Sequence, residues 1–251
     1  MSEMKDRRIA VVGGCGGLGR ALVADLHSKG ARVFVLDLPA SIATHPVPEG
    51  VAALPVDATD PDAVKRAFAT IGEAVPALDG MVNLAGFVGA SCPLMEMPLP
   101  LWEEVVRGNL TAAFVTTQAA VPLLRKGDMP SIVHTSSGLT RTPRPGYAHY
   151  SAAKDGVNAF VRSAALELAP GIRVNSVAPG AVDTAFFRGG TGRSDESGTS
   201  DLDVERYVPT VPLKRMAYPD DVVGPIEFLL GPGSGYLTGQ IIWVTGGRLM
   251  P

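Results

Sequence analysis

The sequence is poor in the residues that commonly bind metal ions. Its 251 residues include only two cysteines, Cys15 and Cys92, and four histidines. The cysteines lie far apart without the spacing of metal ligands, and the histidines are scattered, so we predict that no metal is bound. This low use of cysteine is consistent with a reducing cytoplasm.

Long apolar runs and clusters of basic residues are also missing. No stretch approaches the roughly 18 apolar residues of a membrane-spanning helix. The first residues, MSEMKDRRI, are charged where a signal peptide would be apolar. The net charge of −3 and isoelectric point near 5.8 provide no electrostatic attraction for DNA or RNA. We therefore expect a cytoplasmic protein without membrane or nucleic-acid partners.

The composition is that of a globular domain, with 46% apolar and 19% charged residues. The length suffices to bury a full core, and we predict a single domain over residues 1–251.

Short β-branched runs alternate with longer helical patterns. The predicted strands cover residues 9–12, 32–37, 51–56, 80–85, 131–136, 172–178 and 240–244. The predicted helices cover roughly residues 17–29, 60–74, 99–126, 148–169 and 219–230.

This alternation predicts an α/β fold with one mostly parallel, seven-stranded sheet. Most of the strands are continuously apolar, as in VFVLDL and QIIWV, which is typical of strands covered by helices on both faces. One segment, about 185–212, departs from the rhythm because it is long and rich in Gly, Ser and Asp. We interpret it as a mobile lid over a substrate site, with a disordered insertion as the alternative.

A glycine-rich turn, GGCGGLG at residues 13–19, follows the first strand. Glycines adopt positive φ and let the backbone approach a pyrophosphate at the start of the next helix. The turn allows three interpretations. They are GxGxxG (Gly14, Gly16, Gly19), GxxGxxG (Gly13, Gly16, Gly19) and GxxxGxG (Gly13, Gly17, Gly19). Its own residues do not choose between them.

An acidic residue, Asp37, ends the second strand about 20 residues after the turn. A carboxylate there accepts hydrogen bonds from the adenosine ribose hydroxyls and repels a 2′-phosphate. The turn contains no arginine, and Leu38 and Pro39 follow the acid. The sequence therefore predicts NAD as the cofactor, with NADP the less favoured alternative.

A tyrosine and a lysine four residues apart, Tyr150 and Lys154 in YSAAK, share one face of a predicted helix. A nearby cation favours phenolate and lowers the tyrosine pKa, which makes a general acid/base. The spacing alone is common by chance. Two further polar residues support a functional role for this pair. Ser137 lies 13 residues before Tyr150, and Asn109 lies 41 residues before it.

With these residues the chain resembles the short-chain dehydrogenase/reductase family, in its compact single-domain branch, over nearly its whole length. The matching pieces occur in the family's order. They are GGCGGLG, Asp57 after the third strand, NLAG at 83–86, Asn109, Ser137, YSAAK and PGAVDT at 179–184. The resemblance implies a Rossmann-like, doubly wound sheet and a nicotinamide cofactor. It also implies a homotetramer or homodimer paired through helices 99–126 and 148–169.

The resemblance selects the third interpretation of the turn and assigns a catalytic tetrad. Asn109 would hold a water in a proton relay, Ser137 would orient the substrate oxygen, and Tyr150 would be the acid/base. Lys154 would bind the nicotinamide ribose and lower the tyrosine pKa. The predicted cofactor contacts are Gly13, Gly16, Gly17, Leu18, Gly19, Asp37, Leu38, Asp57, Ala58, Asn83, Ala85, Gly86, Tyr150, Lys154, Pro179, Gly180, Val182 and Thr184. The predicted substrate contacts are Ser137, Leu139, Tyr147, Tyr150 and Phe187.

Three residues depart from the family's pattern, Val12 in the turn, Leu84 in NLAG and Thr245 near the end, and we expect them to affect local stability rather than chemistry. For Arg144 we favour a solvated surface position over contact with an anionic substrate.

The predicted function is an NAD-dependent oxidoreductase that interconverts a secondary alcohol and a ketone, with a small molecule as substrate. One alternative is an epimerase or dehydratase of the family's extended branch, although the chain has no separate substrate domain. The other is a non-catalytic NAD(H)-sensing protein, against which the intact tetrad argues.

Overall fold

The computed structural model describes residues 3–194, 196–197 and 202–250. Its seven strands form one sheet in the order β3-β2-β1-β4-β5-β6-β7, and every neighbouring pair is parallel. The strands are β1 Arg8–Val12, β2 Arg32–Asp37, β3 Ala52–Pro55, β4 Gly80–Asn83, β5 Ser131–Thr135, β6 Arg173–Pro179 and β7 Ile241–Val244. The prediction of a seven-stranded, doubly wound α/β fold is confirmed.

Eight α-helices occur among the described residues. They are α1 Gly17–Ser28, α2 Pro39–Thr44, α3 Pro61–Ala74, α4 Leu99–Val106, α5 Ala112–Leu124, α6 Ala148–Leu168, α7 Val204–Tyr207 and α8 Pro219–Leu230. The predicted helix over residues 99–126 is divided, because a π-helical turn, Arg107–Thr111, separates α4 from α5. The short helices α2 and α7 were not predicted. No helix among these residues has the length and apolar character needed to span a bilayer.

The sheet is covered on both faces because alternate side chains of each strand point to opposite sides. In β1, Ala10 and Val12 pack into one apolar cluster with α3, α5 and α6, whereas Ile9 and Val11 pack into the other with α1 and α8. Asp60 begins α3 by accepting hydrogen bonds from two backbone N–H groups of the first turn. The continuous apolar runs of the sequence are thereby explained.

The strand order reverses between β1 and β4, which opens a crevice at the carboxyl ends of the strands. The described part of the segment after β6 contains 3₁₀ turns at Ala185–Arg188 and Val208–Thr210, with α7 between them. Residues 195 and 198–201 of the predicted lid lie outside the described residues.

The buried carboxylate of Asp79 lies at the amino ends of the strands, opposite the crevice, and joins three segments. Asp79 precedes β4 and accepts hydrogen bonds from Arg8 N (2.9 Å), Arg8 Nε (2.8 Å), Arg8 Nη2 (2.6 Å) and Asp128 N (2.8 Å). Burial opposes ionisation, but the bonds from Arg8 and Asp128 outweigh it and hold the pKa of Asp79 below its usual value. The carboxylate therefore ties β1, β4 and the loop after α5 together.

We expect Asp79→Asn to lower the free energy of unfolding by about 2 kcal/mol, because charge-assisted bonds to buried partners are lost. A carboxylate with a lowered folded pKa stabilises above its ordinary pKa, and this contribution is lost as the pH falls through the folded value. Urea unfolding at pH 7 and pH 3 should therefore show a smaller difference from wild type at pH 3. Asp25→Asn, which removes a surface partner of Lys29, is the control; an equal loss in both variants would contradict this account.

Candidate active site

The crevice forms one large cleft of about 270 Å³, lined by the residues that follow the first six strands and by part of the segment after β6. The strand order determines where its chemistry lies. Asp37 ends β2 and Asp57 follows β3 on one side. Ser137 follows β5 on the other side, together with Tyr150 and Lys154 from α6. The cleft thus has an acidic half and a half that carries the predicted tetrad side chains.

The glycine turn has the geometry of a backbone cradle. Gly13 adopts φ +80° and donates to Leu36 O at 2.8 Å. A Cβ at Gly17 would lie 2.6 Å from Thr184 Cβ, and one at Gly19 would collide with the carbonyl of Gly13. By contrast, a Cβ at Gly16 would make only an ordinary contact, 3.4 Å from Gly13 O. Close approach at residues 13, 17 and 19 supports the third interpretation of the turn and leaves room for a pyrophosphate at the start of α1.

Gly14 also lacks space for a side chain, but for a different reason. Its Cβ would lie 2.7 Å from a methyl group of Val35 in the core, and Gly14 does not line the cleft. Packing against Val35 therefore requires a glycine at position 14.

The carboxylate of Asp37 is held in place by the glycine turn and its own strand end. Cys15 N donates to Oδ2 at 2.8 Å, and Leu38 N donates to Oδ1 at 2.7 Å. The side chain remains half-buried at the cleft wall. Asp57 is exposed, and one of its oxygens accepts bonds from the backbone and hydroxyl of Thr59. The carboxylate of Asp37 is thus pre-oriented before any ligand is bound.

Ser137, Tyr150 and Lys154 meet beside the end of β5. The Ser137 hydroxyl hydrogen-bonds the phenol of Tyr150, a side chain only 5% exposed. Lys154, one turn further along α6, places Nζ 5.8 Å from the centre of the tyrosine ring and donates to Thr135 O at 2.9 Å. Two hydroxyls and an ammonium group therefore converge at one point of the cleft, a suitable arrangement for an oxygen that gains or loses a proton.

Asn109 lies in the π-helical turn, a feature that often marks functional sites. Its Nδ2 donates to Val105 O (2.8 Å) and Phe87 O (2.9 Å), whereas its buried Oδ1 has no partner among the described residues. A Cβ at Gly86 would collide with this Oδ1 and lie 3.1 Å from Lys154 Nζ. An uncommitted carbonyl oxygen therefore shares the space above Gly86 with the ammonium group, which suits a bridging water.

Burial dominates the ionisation of the tyrosine and the lysine. It raises the pKa of Tyr150 to about 12, although the bond with Ser137 acts in the opposite direction. It also lowers the pKa of Lys154 to about 8. That Lys154 lowers the tyrosine pKa stays a prediction, since the net shift of the tyrosine pKa here is upward. The cost of burying a phenolate is the larger effect, and the ammonium group bonds Thr135 O.

The lysine pKa has a consequence for stability. Between pH 8 and the ordinary pKa of 10.5, the unfolded state holds a proton that the folded Lys154 lacks, so stability rises with pH. Lys154→Met removes this dependence. The stability of the variant relative to wild type should be highest below pH 8 and fall by about 3 kcal/mol towards pH 10.5, measured by urea unfolding. Lys126→Met, at an exposed position, is the control. If the free energy of unfolding depended on pH equally in both variants, burial of Lys154 would not be the cause.

Most predicted contacts line the cleft, but three predicted site residues do not. Tyr147 is buried beneath Arg144, whose guanidinium lies 5.4 Å from its ring centre, so the geometry does not support a substrate contact. Asn83 accepts from Ala85 N at 3.0 Å and donates to Thr116 at 3.0 Å, and so holds the strand-end loop. Asn109 lies behind the wall, as described above.

The cleft also contains residues outside the set of predicted contacts. Phe186 approaches Tyr150 with ring centres 6.1 Å apart, and Arg193, Tyr207 and Arg248 add to the wall. Arg144 lines the cleft as well, contrary to the surface position that we favoured. No motif surrounds these residues, and only the folded chain brings them to the site.

Together the fold and this chemistry are those of a Rossmann-type oxidoreductase that uses a nicotinamide cofactor. Comparison with known proteins supports this class. A family model described as enoyl-(acyl carrier protein) reductase matches residues 13–248. The chain belongs to the short-chain dehydrogenase/reductase family.

Curated relatives of the same length include enzymes with different substrates. A 3-oxoacyl-[acyl-carrier-protein] reductase of Synechocystis sp. is 33% identical over 259 residues, covering 100% of both chains. An L-rhamnose 1-dehydrogenase (NAD(P)(+)) of Azotobacter vinelandii is 33% identical over 261 residues, covering 96% of each. Among solved structures, a glucose/ribitol dehydrogenase from Brucella melitensis has a TM-score of 0.86 at 29% identity and covers 99% of both chains.

Proposed function

We propose that the protein is an NAD-dependent oxidoreductase that interconverts a secondary alcohol and a ketone, with Tyr150 as the general acid/base. The observation that carries this proposal is the convergence of Ser137, Tyr150 and Lys154 in a cleft that also holds the glycine turn. The bound nicotinamide would supply hydride chemistry. The protein would supply position and proton transfer.

Each residue of the site would have a separate role, which we infer from its contacts. The hydroxyls of Ser137 and Tyr150 would both bind the substrate oxygen and stabilise the charge that develops on it. The raised pKa keeps the phenol protonated at neutral pH, so it is ready to donate a proton during ketone reduction. The uncommitted Oδ1 of Asn109 beside Lys154 would hold a water that returns the proton from solvent.

We expect Tyr150→Phe to lower kcat by at least about 100-fold, because the proton donor is lost while ring packing is retained. The Kd for NADH, measured by fluorescence titration, should stay within a factor of about 2, because the phenol is not needed to hold the dinucleotide. Tyr236→Phe, at a fully exposed tyrosine, is the control.

The same assay separates the alternatives. Accumulation of NADH during alcohol oxidation excludes an epimerase or a dehydratase. Tight NADH binding without turnover across a broad panel of alcohols and ketones would favour a redox-sensing protein. Near wild-type rates in Tyr150→Phe would contradict the proposed mechanism.

The choice of NAD over NADP rests on Asp37. Its carboxylate is oriented by two backbone N–H groups, and no lysine or arginine among the described residues lines the acidic half of the cleft. A 2′-phosphate would face this carboxylate, whereas Arg20, the cation beside the turn, donates to Cys15 O at 3.4 Å and does not line the cleft. The name of the Azotobacter relative includes both cofactors, so the proposal depends on this chain's own residues.

We expect the wild type to bind NADH at least about 10-fold more tightly than NADPH, because like charges repel in the cleft. In Asp37→Asn this ratio should fall about 10-fold, since the repulsion is removed and one ribose acceptor is lost. Fluorescence titration of both cofactors measures the ratio, with Asp62→Asn as an exposed control on α3. Tighter binding of NADPH by the wild type would contradict the assignment.

We also propose that a homodimer or homotetramer forms through α5 and α6 and that the protein is cytoplasmic. Phe114 on α5 is 48% exposed and Leu166 on α6 is 84% exposed, which is costly for large apolar side chains in water.

The partly described segment after β6 is proposed as a substrate lid, since Phe187, Arg193 and Tyr207 of this segment line the cleft.

A further inference from the structure

Among the described residues three arginines line the cleft, and none of them belongs to the loops after β2 and β3. They are Arg144 in the loop after β5, Arg193 in the segment after β6, and Arg248 beyond β7. The acidic side chains among the described lining residues are Asp37, which ends β2, and Asp57, which follows β3. The half of the cleft that would hold the substrate therefore has a surplus of positive charge.

Arg193 already has a partner. Its Nη2 lies 2.5 Å from Glu104 Oε1, and its guanidinium stacks 3.6 Å from the ring centre of Phe87. These contacts neutralise its charge and use its planar face, so Arg193 closes the wall of the cleft without requiring a ligand.

Arg248 is different because its partners are neutral. Nη1 donates to Thr142 Oγ1 at 3.0 Å, Nε donates to Thr210 Oγ1 at 3.1 Å, and the guanidinium lies 5.2 Å from the ring centre of Tyr207. Among the described residues, no carboxylate forms an ion pair with it, and Nη2 has no hydrogen-bond partner. The half-buried guanidinium is therefore held in place, and no carboxylate of residues 3–194, 196–197 and 202–250 compensates its charge.

The position of Arg248 is also determined on both sides. Thr245 accepts from Leu249 N at 3.1 Å and closes a turn around the arginine backbone. Thr142 donates to Gly138 O at 3.2 Å, and Gly138 follows Ser137 directly. The guanidinium is thus joined through one threonine to the segment that carries a catalytic hydroxyl.

We propose that the substrate carries a carboxylate, which Arg248 binds while Ser137 and Tyr150 bind the reacting oxygen. The substrate class is then hydroxy acids and the corresponding oxo acids. This inference rests on the proposed function, and it adds the identity of the group that orients the substrate. A planar, permanently charged guanidinium with a free donor suits a carboxylate better than a neutral hydroxyl.

The test compares each oxo acid with its methyl ester, which removes the negative charge and adds one methyl group. Wild-type protein with NADH is assayed on 2-, 3- and 4-oxo acids of four to six carbons and on their esters. The best acid should exceed its ester by about 10- to 100-fold in kcat/KM, as expected for one charge-assisted hydrogen bond in a partly buried site. Arg248→Gln should remove this preference, mainly through KM, so that the acid and the ester of each pair differ by less than about 2-fold in kcat/KM.

Two further variants separate charge from structure. Arg248→Lys keeps the charge and should retain part of the preference. Arg141→Gln removes a nearby exposed arginine that stacks on Trp243 and does not line the cleft, so the preference should be unchanged. Circular dichroism and the Kd for NADH verify that each variant is folded.

A binding measurement makes the outcome independent of turnover. Calorimetry with succinate, in the presence of NADH, should show binding to wild type that weakens at least about 10-fold in Arg248→Gln. Equal rates for acids and esters in the wild type, or an unchanged preference in Arg248→Gln, would overturn the inference while leaving the oxidoreductase function intact. If no ketone is reduced, the proposed function fails, and the succinate measurement alone decides whether Arg248 binds a carboxylate.

Discussion

The parallel sheet determines where all chemistry in this protein takes place. Because every strand runs in the same direction, the residues that follow the strands meet at one edge, and the reversal of order between β1 and β4 opens the cleft there. Gly13, Ser137 and Gly180 follow different strands, yet all three line this cleft. Catalytic and binding residues can therefore lie far apart in sequence while the apolar strands keep their positions rigid.

The second constraint is the burial of Tyr150 and Lys154, which disfavours their charged forms and so lowers the stability of the folded protein. Tyr150 and Lys154 both lie below 6% exposure, and each loses part of its tendency to ionise. The same exclusion of water strengthens every hydrogen bond formed with a reacting oxygen. The site thus accepts an unfavourable buried ammonium group, whereas the buried carboxylate of Asp79 at the opposite edge is stabilised by four donors.

Several elements were predictable because a local pattern determines them. The seven strands follow from apolar runs, and α3 begins where Asp60 precedes a proline. The division of helix 99–126 was not predicted, because the apolar pattern continues through the π-helical turn in which Asn109 bonds Val105 O and Phe87 O. Tyr147 illustrates the opposite error, because its helical spacing from Tyr150 suggested the cleft while packing against Arg144 removes it.

The sequence by itself determined the fold class and the family and predicted a tetrad, because strand periodicity and the spacing of Asn109, Ser137, Tyr150 and Lys154 are properties of the chain order. Only the tertiary structure decided the environment of those groups. The tyrosine pKa depends on the surface that covers Tyr150, and the positive half of the cleft depends on Arg248, which lies 98 residues beyond Tyr150. Desolvation and charge surplus arise from neighbours in space, and no local pattern encodes them.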